Sequence, residues 1–118
     1  MSHFVQKFGG TSLGTAERMK GVAQIIVDHL NQHHRVTAVV SAMSSYNKAE
    51  GTTSRLLEAG NLALSGGPFY RMSDLVEESH NEAFSKAVRN PEIQEQLREF
   101  VLRELRSLKS FLEAIHVI

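Results

Sequence analysis

Cysteine is absent from this 118-residue sequence, and proline occurs only twice. Without cysteine there is no disulfide framework and no cysteine-ligated zinc. A reducing, cytoplasmic location fits that absence. Long apolar runs are missing too. They extend only a few residues, far short of the ~18–20 needed to span a bilayer, so no membrane association is expected. The opening stretch MSHFVQKFGG has neither a basic n-region nor an apolar h-region, so no secretory signal is expected. Neither sign of charge is in excess, with 13 Lys+Arg against 13 Asp+Glu. That balance names neither nucleic acid nor an anionic membrane as a partner. What is present is ordinary: 42% hydrophobic and 22% charged residues. Length and composition suit one compact domain or a piece of a larger one.

The charge is distributed unevenly. Residues 1–60 hold six basic and four acidic side chains, and residues 61–118 hold seven and nine. The slight basic excess therefore lies in the half that carries the first glycine pair.

Phe4-Val5-Gln6-Lys7-Phe8 alternates apolar and polar residues, as a short strand does, and Gly9-Gly10 breaks it. Thr11, Ser12 and Thr15 offer helix N-caps. Apolar residues then recur at helical spacing through Met19, Val22, Ala23, Ile26, Val27 and Leu30, until Asn31-Gln32-His33-His34 ends the helix. Val36-Thr37-Ala38-Val39-Val40 reads as a strand buried on both faces of a parallel sheet. The first 42 residues thus form a βαβ unit. Ser41 to Gly51 is a polar loop, and Thr52 or Thr53 caps a further helix that runs to Leu64. Ser65-Gly66-Gly67-Pro68 breaks the chain again. Residues 69–116 read as two long amphipathic helices joined at Asn90-Pro91. In the first, Asp74 and Glu77 stand in early turns, where the helix dipole favours them. The second carries one stripe: Ile93, Leu97, Phe100, Val101, Leu105, Leu108, Leu112 and Ile115. That stripe reads as core or as an interface. The expected organisation is 1–68 (βαβ plus a helix) followed by 69–118 (a helical hairpin). The apolar ending of the chain suggests a pattern cut part-way.

Two places can carry chemistry. Lys7-Phe8-Gly9-Gly10-Thr11-Ser12 follows a strand and opens a helix, where glycines admit a ligand to the backbone and N–H groups meet an anion. It matches neither a Walker A loop nor the dinucleotide fingerprint. It is either a phosphate cradle or a plain strand-to-helix turn. The second place is Ser41 to Thr53, whose hydroxyls at Ser41, Ser44, Ser45, Thr52 and Thr53 sit beyond the carboxyl end of the second strand. Ligands of open parallel sheets bind there, although a solvated loop with helix caps explains the same residues. His29 and His33, four apart, could share a metal, but they read more simply as exposed residues near a helix C-terminus. No metal ligand is assigned.

Val5-Gln6-Lys7-Phe8-Gly9-Gly10-Thr11-Ser12 resembles the opening signature of the aspartate kinases, within the amino acid kinase superfamily. Val39-Val40-Ser41-Ala42-Met43-Ser44 is similar to that family's second-strand motif, and Gly51-Thr52-Thr53-Ser54-Arg55-Leu56-Leu57 to the segment after it. The intervening loop, Tyr46 to Glu50, looks closer to the fungal type. The resemblance implies an α/β fold, the N-terminal portion of an amino-acid-kinase-like αβα sandwich. It implies transfer of the γ-phosphoryl group of ATP, with Mg²⁺, to the side-chain carboxylate of L-aspartate, the first step toward lysine, threonine and methionine. Lys7 would be catalytic, neutralising the phosphoryl group in flight. Gly9, Gly10, Thr11 and Ser12 would cradle phosphate oxygens, and Ser41 and Thr53 would hold aspartate. It further implies that the chain stops before the family's Ser-x-Gly-Glu segment, its ATP-binding half and its ACT regulatory domains, so that alone it would be inactive. Two other readings stand beside this one. One is an amino acid kinase with a different carboxylate acceptor, and the other is a non-enzymatic module that self-associates through its helical half.

Overall fold

The computed structural model describes residues 1–117, the last of them by its backbone only. The chain forms two units, Met1–Gly51 and Thr52–Ile118.

In the first unit, strand β1 (His3–Phe8) leads through a 3-10 turn (Gly10–Leu13) to helix α1 (Ala16–Asn31) and strand β2 (Arg35–Val40). The strands pair in parallel, His3 opposite Arg35 through Phe8 opposite Val40. This is the expected βαβ unit. Thr15 caps α1 as its spacing suggested, its side chain accepting from the Arg18 N–H at 3.2 Å. Helix α1 ends in a Schellman-type turn: the N–H groups of His33 and His34 donate to Leu30 O and His29 O at 3.0 and 3.1 Å. The residue that turns the chain is His33, at φ 63°, where glycine is usual.

β2 differs from expectation. It is not buried on both faces: Val39 and Val40 remain 47% and 58% exposed. The reason is one of supply. A parallel strand is buried only when helices cover both faces of its sheet, and this unit has two strands and one α-helix. Helix α1 packs on the Phe4 side of β1, where the Phe4 and His29 rings meet at 4.7 Å between centroids. Val5, on the opposite face, is 71% exposed.

The second unit is helical: α2 (Thr52–Ser65), α3 (Tyr70–Ala87) and α4 (Pro91–Val117), each touching the other two. Its core is Ala59, Ala63, Phe69 and Leu112, with Leu62, Met72, Leu108 and Ile115 packed around it. Small residues on α2 let the backbones approach, and Phe69 fills the space between them. The fully buried Ser73 satisfies its hydroxyl within its own helix, donating to Tyr70 O at 3.0 Å. Asn90 caps α4, its Oδ1 accepting from the N–H groups of Glu92 and Ile93, and Pro91 takes the first helical position, where its missing N–H costs nothing.

Two expectations are revised here. The boundary between units falls after Gly51, not after residue 68, because α2 packs with α3 and α4. The hairpin is therefore two sides of a three-helix unit. And α3 begins at Tyr70, which places Asp74 and Glu77 beyond its first turn. Asp74 instead pairs with Lys109 of α4 at 2.8 Å.

Candidate functional site

The carboxyl ends of β1 and β2 lie level, and the Ser41 N–H donates to Phe8 O at 3.2 Å. Gly9 leaves β1 in extended conformation (φ −73°, ψ 169°) and opens the 3-10 turn. The first hydrogen bond of that turn runs from the Ser12 N–H to Gly9 O at 3.1 Å. The N–H groups of Gly10 and Thr11 therefore stand outside the turn's own bonding. From the other side, the loop after β2 folds onto this turn, the Ser44 N–H donating to Gly10 O at 3.0 Å.

The glycines divide into two kinds. A Cβ on Gly10 would lie 2.7 Å from Ser44 Cβ and 2.8 Å from Ala42 O, and one on Gly14 would collide with Ser44 O. Both positions must be glycine for the loop to reach the turn. A Cβ on Gly9 would meet nothing within 4 Å, and its φ is one that any residue adopts. Neither packing nor backbone geometry demands a glycine there.

Lys7 is exposed, paired across the ladder with Val39. Strand alternation puts it on the face opposite Phe4 and Gln6, which α1 covers. Thr11 is half-buried, and Ser12 and Ser41 are exposed. The first unit thus gathers Lys7, Gly9, Gly10, Thr11, Ser12 and Ser41 around two strand ends. Thr53 is the second residue of α2, exposed, and is positioned by the other unit.

Three residues to which the motifs gave no role also join this site: Arg18, Tyr46 and Gly14. The Arg18 guanidinium donates to Thr11 O at 3.0 Å and lies 4.2 Å over the Tyr46 ring centroid. The signal in the sequence was the sign of its charge: a cation in the first turn of a helix opposes the macrodipole and needs another reason to be there.

The histidines take a packing role. His29 Nδ1 lies 2.9 Å from Ile25 O, and the His29 and His34 rings flank Phe4 edge-on, at 4.7 and 4.9 Å. His33 sits at the turn after α1. Among the described residues, no group of three or more metal-ligating side chains is placed to hold an ion, and no helix is long and apolar enough to cross a membrane. At the turn, the donors are backbone N–H groups and the Thr11 and Ser12 hydroxyls, with Lys7 exposed on the adjoining strand. That set suits phosphate oxygens and not a metal.

The model of the amino acid kinase family matches residues 3–109. An aspartokinase of Saccharomyces cerevisiae is 36% identical over 97% of this chain, and one of Candida albicans 35% over 97%. An aspartokinase of Helicobacter pylori is 50% identical over 48% of it. The chain spans about a fifth of the length of the two fungal relatives, 22% and 20%.

Proposed function

Because the chain belongs to the amino acid kinase family, we propose that it forms the phosphate-cradling and acceptor-loop portion of an aspartate kinase. The reaction is attack of the side-chain carboxylate of L-aspartate on the γ-phosphorus of ATP, giving 4-phospho-L-aspartate and ADP. Mg²⁺ would arrive on the nucleotide's phosphates. Such a transfer asks the protein for positioning and charge stabilisation rather than for a covalent nucleophile. Lys7 supplies a positive charge to the phosphoryl group as it moves. The N–H groups at Gly9 and Gly10, with the Thr11 and Ser12 hydroxyls, hold phosphate oxygens. Ser41 and Thr53 hold aspartate. That product would feed a route to lysine, threonine and methionine, and we place it in the cytoplasm.

The observation that carries this reading is Gly9. With an ordinary φ and open space where its Cβ would be, its lack of a side chain serves the approach of something outside the chain. The position lies at the carboxyl end of a parallel strand, where ligands of such sheets bind. A thermal-shift titration tests it. Mg-ATP with aspartate should raise the melting temperature of this chain, and glutamate in place of aspartate should not add to the shift. A shift with glutamate and none with aspartate would instead favour a kinase with another carboxylate acceptor.

A second reading has its own observation. Ile93, Phe100 and Phe111 of α4 are 46%, 54% and 65% exposed, which favours self-association through the helical unit.

A further inference from the structure

We propose that Arg18 is a positioning residue that latches the Ser41–Gly51 loop onto the Gly10–Leu13 turn, coupling the acceptor side of the site to its phosphate side. The geometry is independent of the aspartate kinase reading, while the coupling it serves rests on that reading.

Arg18 touches both segments at once. Its Nη1 donates to Thr11 O at 3.0 Å, and its Cζ stands 4.2 Å from the Tyr46 ring centroid. A planar guanidinium can stack through its face and donate through its edge, and an ammonium cannot do both. The Thr15 side chain, by accepting from the Arg18 N–H, fixes the backbone from which this arm extends. The loop's remaining side-chain bonds are local. Asn47 N–H donates to Ser45 Oγ at 3.2 Å, and Asn47 Oδ1 accepts from Ala49 N–H at 3.3 Å. The Asn47 amide also donates to Glu50 Oε1 at 3.2 Å. They shape the loop without anchoring it. The anchors are the Ser44–Gly10 bond, near the loop's start, and the Arg18–Tyr46 stack. Tyr46 is 79% exposed, so the core does not depend on its ring. A phosphate held at Gly10 and Thr11 would steady the carbonyl that Arg18 grips, then Tyr46, then the loop that begins at Ser41.

Lys48 lies in the same loop, two residues beyond Tyr46, and reports on its opening. The experiment is limited proteolysis of this chain with a lysine-specific endoprotease. Tyr46→Ala should speed cleavage after Lys48 by about two- to fivefold, the range expected for losing an exposed cation–π contact, and Arg18→Gln should do the same. Tyr46→Phe, which keeps the ring, should cut at the parent rate. Cleavage after Lys20 in α1 and Lys109 in α4 should not change. Equal cleavage after Lys48 in Tyr46→Ala and the parent overturns the latch, and so does an equal acceleration after Lys20, which would mean general loosening. With Mg-ATP added, cleavage after Lys48 should slow in the parent and in Tyr46→Phe but not in Tyr46→Ala. Equal protection in Tyr46→Ala overturns the coupling. If no variant is protected while the ligand-free differences persist, the latch is supported and the coupling to a phosphate cradled by this chain fails.

Discussion

At the scale of single residues, the two adjacent glycines of the turn separate folding from binding. Gly9→Ala should leave the melting temperature almost unchanged, because the added methyl enters open space at an unstrained φ. Under the proposed function it should nonetheless weaken the Mg-ATP-dependent thermal shift, since the methyl occupies the path of the phosphate. Gly10→Ala should behave in the opposite way. Its methyl meets the backbone carbonyl of Ala42 at 2.8 Å, and backbone cannot swing aside as a flexible side chain can. A cost of about 1–3 kcal/mol is expected, the usual range for overpacking, read as a lowered melting temperature before any ligand is added. Identical behaviour of the two variants would contradict this division. Composition and spacing could find the pair as a candidate cradle, because a strand followed by Gly-Gly and hydroxyls is a local pattern. Which glycine faces the loop and which faces solvent was not legible. That depends on Ser44, more than thirty residues away in sequence. Arg18 was hidden for the same reason, since both its partners, Thr11 and Tyr46, lie outside its helix.

At the scale of elements, helix periods and stop signals were legible because they are local. The Thr15 cap, the break at Gly66-Gly67 and the start of α4 at Pro91 all follow from one or two residues acting on their neighbours. The burial of β2 and the grouping of α2 were not. A run such as Val36 to Val40 states that a strand can be covered on both sides, not that coverage is supplied within its unit. The apolar face of α2 would read the same whichever neighbour it met. One element carries a correctable strain. His33 closes α1 at φ 63°, a conformation that costs a side chain about 1–2 kcal/mol. Glycine avoids that cost and loses back roughly 0.5–1 kcal/mol of chain entropy. His33→Gly should therefore stabilise the chain by roughly 0.5–1 kcal/mol, measured by chemical denaturation. The His29–Phe4–His34 cluster does not include His33 and should survive the change. A destabilised variant would show that the His33 side chain makes a contact worth more than the strain.

At the scale of the molecule, the exposed side of α4 bears on whether this chain associates with itself. Ile93, Phe100 and Phe111 are spaced seven and eleven residues apart, steps that return to the same side of a helix with 3.6 residues per turn. They lie roughly 100–140° around the helix from Leu105 and Leu112, which are buried at 6% and 3%. The apolar stripe of α4 is therefore wider than the strip that α2 and α3 cover. An amphipathic helix with an uncovered apolar margin lowers its free energy by finding another apolar surface, and at high concentration the supply of such surfaces is other copies of the same chain. Light scattering should accordingly show a mean mass that rises with concentration. The rise should persist at high salt, because hydrophobic contact is not screened as charge pairs are. Replacing Phe100 and Phe111 together by serine should return the chain to a monomer with its helical circular dichroism intact, since neither side chain belongs to the core around Phe69 and Leu112. A monomer at all concentrations in the parent would show that the margin is too small to drive association. The reading as an association module would fall with it, and the turn and loop at the carboxyl ends of β1 and β2 would be left as the functional part of the chain.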